Sequence, residues 1–351
     1  MVGRQRGVTL IELLIVMALL AVVIAMSSFT FTEIISQSRQ QTQITATQLE
    51  EIVALEMMRV DIEHAGHGLP WSFQNTINYS EASAAPANAY NDSPSNPPRP
   101  FACGNGAAYN SSDYLVIKST NASTSDTAQR WTYVVTGQNP HTWGSNNLAN
   151  GDRVIVINPK ADETSLRELV MNGAVFFTGY SNTSFASNFS PKNPSGRYLI
   201  YGVDHDTDLR MPFNRVDYYV NRPNSGMPVT CAHGTGILYR ATVNQADGRL
   251  TELPVLDCVA DMQVIFNLDG SQTDDISAFS PEDVRDRIRE VRVYILTHEG
   301  GRDKSYKYPS STVTVGEFGL GSNFDLATVV GSGWQNYRWK VITMVIKPKN
   351  L

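Results

Sequence analysis

The sequence predicts an α+β protein, with one long N-terminal helix packed on a mainly antiparallel β lobe. Two observations carry this. No proline or glycine interrupts residues 8–65, and short β-rich runs separated by turn residues recur from residue 113 onward.

The helix is read first. Residues 8–31 are apolar with Glu12 as their only charge, and Arg4 and Arg6 precede them. About 20 such residues span the hydrocarbon of a bilayer as a helix, and the flanking arginines place the N-terminus in the cytoplasm. Beyond Phe31 the pattern turns amphipathic. Leu49, Ile52, Val53, Met57 and Val60 share one helical face, which is expected to pack on the lobe. Gly66, Gly68 and Pro70 end the run. The expected division is a leader at 1–7, a membrane helix at 8–31, an amphipathic stalk at 32–68 and a β lobe at 69–351.

Within the lobe, residues 72–112 read as poorly ordered, and 86–100, rich in Pro, Asn and Ser, as an exposed loop. Strands are expected at 113–119, 130–137, 152–158, 174–180, 197–203, 215–221, 236–243, 261–268, 290–297 and 338–346. Most alternate, which predicts sheets with one solvated face. Residues 280–290 form a short helix, with Ser280 as its cap, Pro281 in its first turn and Glu282 and Asp283 favouring its dipole.

Composition narrows the function. There are 28 Lys+Arg against 34 Asp+Glu, with no basic block, so no nucleic-acid partner is expected. The chain has none of the nucleophile-elbow, zinc-protease or phosphate-loop patterns, and it is read as a non-enzyme. His64 and His67, three apart near the helix end, are read as polar residues of a C-terminal turn rather than metal ligands. No cofactor is assigned. The acidic turns at 204–208 and at Asp269, Asp274 and Asp275 have the oxygen ligands Ca²⁺ prefers, but neither follows the twelve-residue loop pattern, and they are read as solvated.

Glu12 is the anomaly. A carboxylate inside an apolar membrane helix costs a few kcal/mol and calls for a partner. A signal peptide cut near Ala25–Ser27 and a plain membrane anchor both leave it unexplained. The stretch Gly7-Val8-Thr9-Leu10-Ile11-Glu12 closely resembles the N-terminal signal of type IV pilins and their relatives. That resemblance implies cleavage by a prepilin peptidase between Gly7 and Val8, N-methylation of Val8, and a pilin-like fold. It also implies that Glu12 of one subunit neutralises the new amine of another, a pairing that makes both charges tolerable in low dielectric.

The order and spacing of 238–270, 288–297 and 337–350 resemble those of the PilW-like minor pilins. This implies a subunit that primes type IV pilus assembly and supports motility and adhesion. Its implied partners are the major pilin, other minor pilins and, in some members, a tip adhesin. It would sit in the inner membrane with a periplasmic lobe, then in the pilus at the cell surface. The alternative is a J-type pseudopilin of a type II secretion system. An extracytoplasmic lobe permits a disulfide. Cys231 and Cys258 lie in the better-matched half and flank the 236–243 strand, so they are the expected pair, with Cys103 left over. Pairings that use Cys103 stay open.

Overall fold

The computed structural model describes residues 9–160, 166–194 and 196–351. Helix α1 (Leu10–Glu63) is 54 residues long, hence about 80 Å. It ends at His64, and Gly66 follows with φ +82°. A side chain at Gly66 would stand 2.8 Å from the Asn350 carbonyl oxygen, so glycine is required both for the turn and for the close approach of residue 350.

The lobe opens with strands β1 (Ser72–Phe73), β2 (Phe101–Gly104), β3 (Tyr114–Ser119), β4 (Trp131–Val135), β5 (Arg153–Lys160), β6 (Leu166–Leu169), β7 (Thr178–Gly179) and β8 (Arg197–Asp204). It continues through β9 (Asn214–Asn221), β10 (Gly236–Val243), β11 (Leu250–Leu268), β12 (Gln272–Thr273), helix α2 (Pro281–Arg287) and β13 (Ile288–Glu299). The hairpin β14 (Thr312–Val315) and β15 (Ser322–Asp325), helix α3 (Leu326–Val329) and β16 (Arg338–Ile346) complete it. The cap expected of Ser280 forms on α2, and the structure completes it as a capping box with Asp283 as its acid.

The large sheet has the order β16-β13-β11-β10-β9-β3-β2, with β12 on β11, and all of its pairs are antiparallel. The smaller sheet runs β1-β6-β5-β8-β4, with β7 on β5, and only β1–β6 is parallel. The large sheet forms the middle layer. One face, including Leu115, Ile117, Val216 and Tyr218, packs on Ala54, Met58 and Ile62 of α1. The other, with Tyr114, Val116 and Tyr219, packs on Ile155, Ile157 and Val203 of the smaller sheet.

This corrects the expectation of one solvated face. β3 is buried along its whole length and β9 along all but its last residue, because a layer covers each side. Even Lys118 is buried, and its Nζ meets Glu81 and Asp92 at 2.7 Å each.

The same charges correct the reading of 72–112 as poorly ordered and of 86–100 as an exposed loop. Ile77, Tyr79, Ala82 and Ala87 belong to the inter-sheet core. The fully buried Arg215 holds Asp217 at 2.7 Å, Glu81 at 3.1 Å, the Asn91 side chain at 2.8 Å and the Ala87 carbonyl at 2.8 Å. Arg99 Nε donates to Asp92 at 2.7 Å. The polar composition of the segment serves ion pairs inside the lobe; removing one partner would strand a buried charge.

Candidate functional site

The N-terminal helix begins with a reciprocal cap. Thr9 N–H and Oγ1 each donate to Glu12 Oε2 at 2.9 Å, and Glu12 N–H donates to Thr9 Oγ1 at 3.4 Å. The pattern Thr-x-x-Glu before an apolar run is a capping-box signature legible in the sequence, and it adds a local partner for Glu12 to the intersubunit role expected from the resemblance. The structure therefore gives Glu12 an intramolecular partner at the mouth of the helix. Gly7 and Val8, with the expected cleavage bond, and Arg4 and Arg6 lie outside the described residues.

From Leu10 to Gln43 every described side chain is exposed. The helix is long and apolar enough to cross a membrane. Contact with the lobe starts near Ile44, which abuts Gly300, and Gln48, which hydrogen-bonds Glu299. Three charged anchors then follow. Lys340 joins Glu51 to Glu299, Asp61 takes Arg240 Nε at 2.7 Å and the Tyr218 hydroxyl at 2.6 Å, and Glu63 pairs with Lys349.

The buried face of the upper helix differs from the expected one. Met58 and Ile62 are fully buried, whereas Leu49, Ile52 and Val53 are 66%, 65% and 55% exposed. The anchors at 51, 61 and 63 rotate the helix so that the Leu49–Val60 stripe faces outward. Leu49, Val53 and Met57 instead line an open groove with Leu253, Pro254 and Val255 of β11.

Cys231 and Cys258 form a disulfide with Cα atoms 4.8 Å apart, and Cys103 is buried and free. Burial pushes the Cys103 thiol well above its ordinary pKa, so it is held as a neutral thiol. Beside the disulfide, the buried His298 accepts from Ala232 N–H through Nε2 at 3.0 Å, while its Nδ1 faces the Gly300 carbonyl at 3.1 Å. Burial lowers its pKa to about 4, so the neutral ring fits this pair of bonds.

The acidic turns do not converge. Asp269 is taken by Arg289 at 2.8 Å, Asp275 accepts from Ser277 N–H at 2.8 Å, and Asp274 accepts from Gly321 N–H at 3.4 Å. In the other turn, Asp204 accepts from Thr207 N–H and Asp208 pairs with Arg153. His64 binds its own helix carbonyl at Val60, and His67 packs edge-on against Tyr201. Among the described residues no three His, Cys, Asp or Glu side chains gather as a metal site.

Comparison with known proteins bears on the N-terminus. Residues 3–28 match the family model described as the prokaryotic N-terminal methylation motif. No curated protein matches the chain. Among solved structures, a type IV-like pilin from Thermus thermophilus is similar over 40% of this chain and 70% of its own, at 16% identity and a TM-score of 0.24. The matched motif spans Gly7 to Glu12 and runs into the exposed apolar helix. The methylation motif thus leads through one long helix to the β lobe.

Proposed function

We propose that this chain is a minor pilin of a type IV pilus. A prepilin peptidase would cut between Gly7 and Val8 and leave a methylated amine on Val8. In the membrane the apolar helix anchors the subunit with its lobe in the periplasm. On assembly, the apolar helix moves from lipid into contact with neighbouring subunits. The carrying observation is the methylation motif running directly into a helix whose described side chains from Leu10 to Gln43 stay exposed.

Glu12 has two successive tasks in this reading. In the isolated chain it closes the capping box with Thr9. In the filament its carboxylate faces the Val8 amine of a neighbour, so two charges that are costly alone in an apolar medium offset each other. The bulk of the lobe suits a position of low copy number, with other minor pilins, the major pilin and a tip adhesin as partner classes. The role is assembly rather than catalysis.

The test is processing followed by assembly. Gly7→Ala should leave the full-length precursor on an immunoblot, and normal maturation would refute the cleavage site. Glu12→Ala should mature normally yet lower pilus number about tenfold or more, the effect of losing at least ~1.4 kcal/mol of pairing. Undiminished piliation would sink the charge-pairing role. Purification with secretion pseudopilins instead of pilins would move the protein to the type II secretion pseudopilus.

A further inference from the structure

Trp71 follows the glycine turn at the end of α1 and carries two arginines over its ring. The guanidinium of Arg167, on β6, stands 5.5 Å from the ring centroid, and that of Arg285, on α2, stands 4.8 Å from it. Backbone bonds fix the group. Trp71 N–H donates to the Arg167 carbonyl at 3.0 Å, and Arg167 Nε donates to the Leu69 carbonyl at 3.1 Å. Arg167 also takes φ +48°, a left-handed conformation that a large side chain adopts only at a cost. On the other side α2 is held by its Ser280 cap and the buried Val284. Trp71, Arg167 and Arg285 are each half-buried, so the group is open to solvent.

These two arginines lack what their neighbours have. Arg287 pairs with Asp283 at 3.4 Å, Arg289 with Asp269 at 2.8 Å and Arg292 with Glu290 at 2.8 Å. Among the described residues Arg167 and Arg285 form no ion pair. Arg167 Nη2 and Arg285 Nε and Nη1 are buried without a hydrogen-bond partner. Burial lowers the pKa of both groups, the direction of a cation short of counter-charge. Asp286 and Glu282, on the same helix as Arg285, oppose this from beyond pairing distance, and the charge of Arg167 adds to it.

We propose that Arg167 and Arg285 together hold a doubly charged oxyanion, phosphate or sulfate. A buried N–H without an acceptor is costly, and two adjacent cations without an anion add to that cost. The indole face attracts a guanidinium, but this offsets less than the desolvation of its charge. Planar guanidiniums match the oxygens of an oxyanion, and a modest rotation brings their N–H groups to one arriving from the open side. The charge count selects the class of anion: a dianion neutralises both arginines, whereas one carboxylate leaves a positive charge behind. Lipid headgroups are a poor source, because about 50 Å of helix separate Phe31, at the end of the apolar run, from Glu63. Two cations on a chain of net charge −6 do not suit a nucleic-acid backbone.

The site stands apart from the methylation motif and does not depend on the pilin reading. The full chain, in a maltoside detergent and a buffer free of phosphate and sulfate, should be titrated with inorganic phosphate, sulfate and acetate at constant ionic strength. Calorimetry reads the affinity, and the melting temperature reads the linked stabilisation. We expect saturation by phosphate or sulfate with a Kd of about 1 mM or below, and acetate at least tenfold weaker. Arg285→Gln should weaken binding tenfold or more. Arg287→Gln, which removes the same charge from the same helix, should bind as the native chain does. Without anion, Arg285→Gln should melt no lower than the native chain, since it removes an uncompensated charge. An arginine that served only to pack on Trp71 would lower the melting temperature when replaced. The proposal is overturned by no saturable phosphate or sulfate binding, by acetate binding as tightly, by equal affinities of the two variants, or by a lower melting temperature of anion-free Arg285→Gln.

Discussion

The two halves of α1 are one uninterrupted helix with opposite surroundings. Below Ile44 its described apolar side chains face outward, whereas above Glu51 it is pinned to the large sheet by Met58, Ile62 and three charged anchors. The described apolar side chains of the lower half meet nothing in their own lobe, and in the proposed function lipid or other subunits surround them. The upper half depends on the lobe. A single helix can thus carry its lobe from one apolar environment to another without repacking the junction.

Substitutions at matched apolar positions test that contrast. Ile62→Ala opens a cavity against the sheet and should cost about 2–5 kcal/mol of lobe stability in denaturant melts. A loss under about 1 kcal/mol would mean the upper helix is not packed as described. Next in size is the disulfide beside the junction. Cys231→Ser with Cys258→Ser frees a loop of 27 residues and should cost about 3–4 kcal/mol by the loop-entropy relation, measured in the same way.

The pH effect of His298 is of similar or smaller size. Its folded pKa of about 4 lies below the usual value near 6.5, so the unfolded chain takes the proton first. Its stabilising contribution is present above pH 6.5 and is lost as pH falls toward 4, about 3 kcal/mol in all. Asp113, pushed up to about 7 by burial, works in the opposite sense between pH 7 and 4. The readout is therefore the difference between the native chain and His298→Gln, and parallel stability curves for the two would reject the role of His298. The smallest effect belongs to Ile52→Ala, which should change lobe stability by less than about 0.5 kcal/mol. If assembly also proceeds unchanged in that variant, the exposed stripe is not an interface.

The sequence was readable where local rules suffice. The unbroken helix, its glycine stop, the α2 cap and most β runs follow from propensity and turn chemistry. The misreadings arose where distant residues decide. The Leu49–Val60 stripe has good helical spacing, but Lys340, Arg240 and Lys349 choose which face turns inward, and they lie nearly 180 or more positions away. The 86–100 segment has a loop composition, yet Lys118 draws its Asp92 inside and Arg215 the neighbouring Glu81.

The tie between Glu63 and Lys349 also sets an order in time. These residues are 286 positions apart, and Glu51 and Lys340 are 289 apart. During synthesis the helix leaves the ribosome long before the strand that grips it. Contacts of such high sequence separation form late in folding. The nascent helix can therefore reach the membrane while its upper half is still uncommitted, and the lobe closes on it only after residues 340–349 have followed.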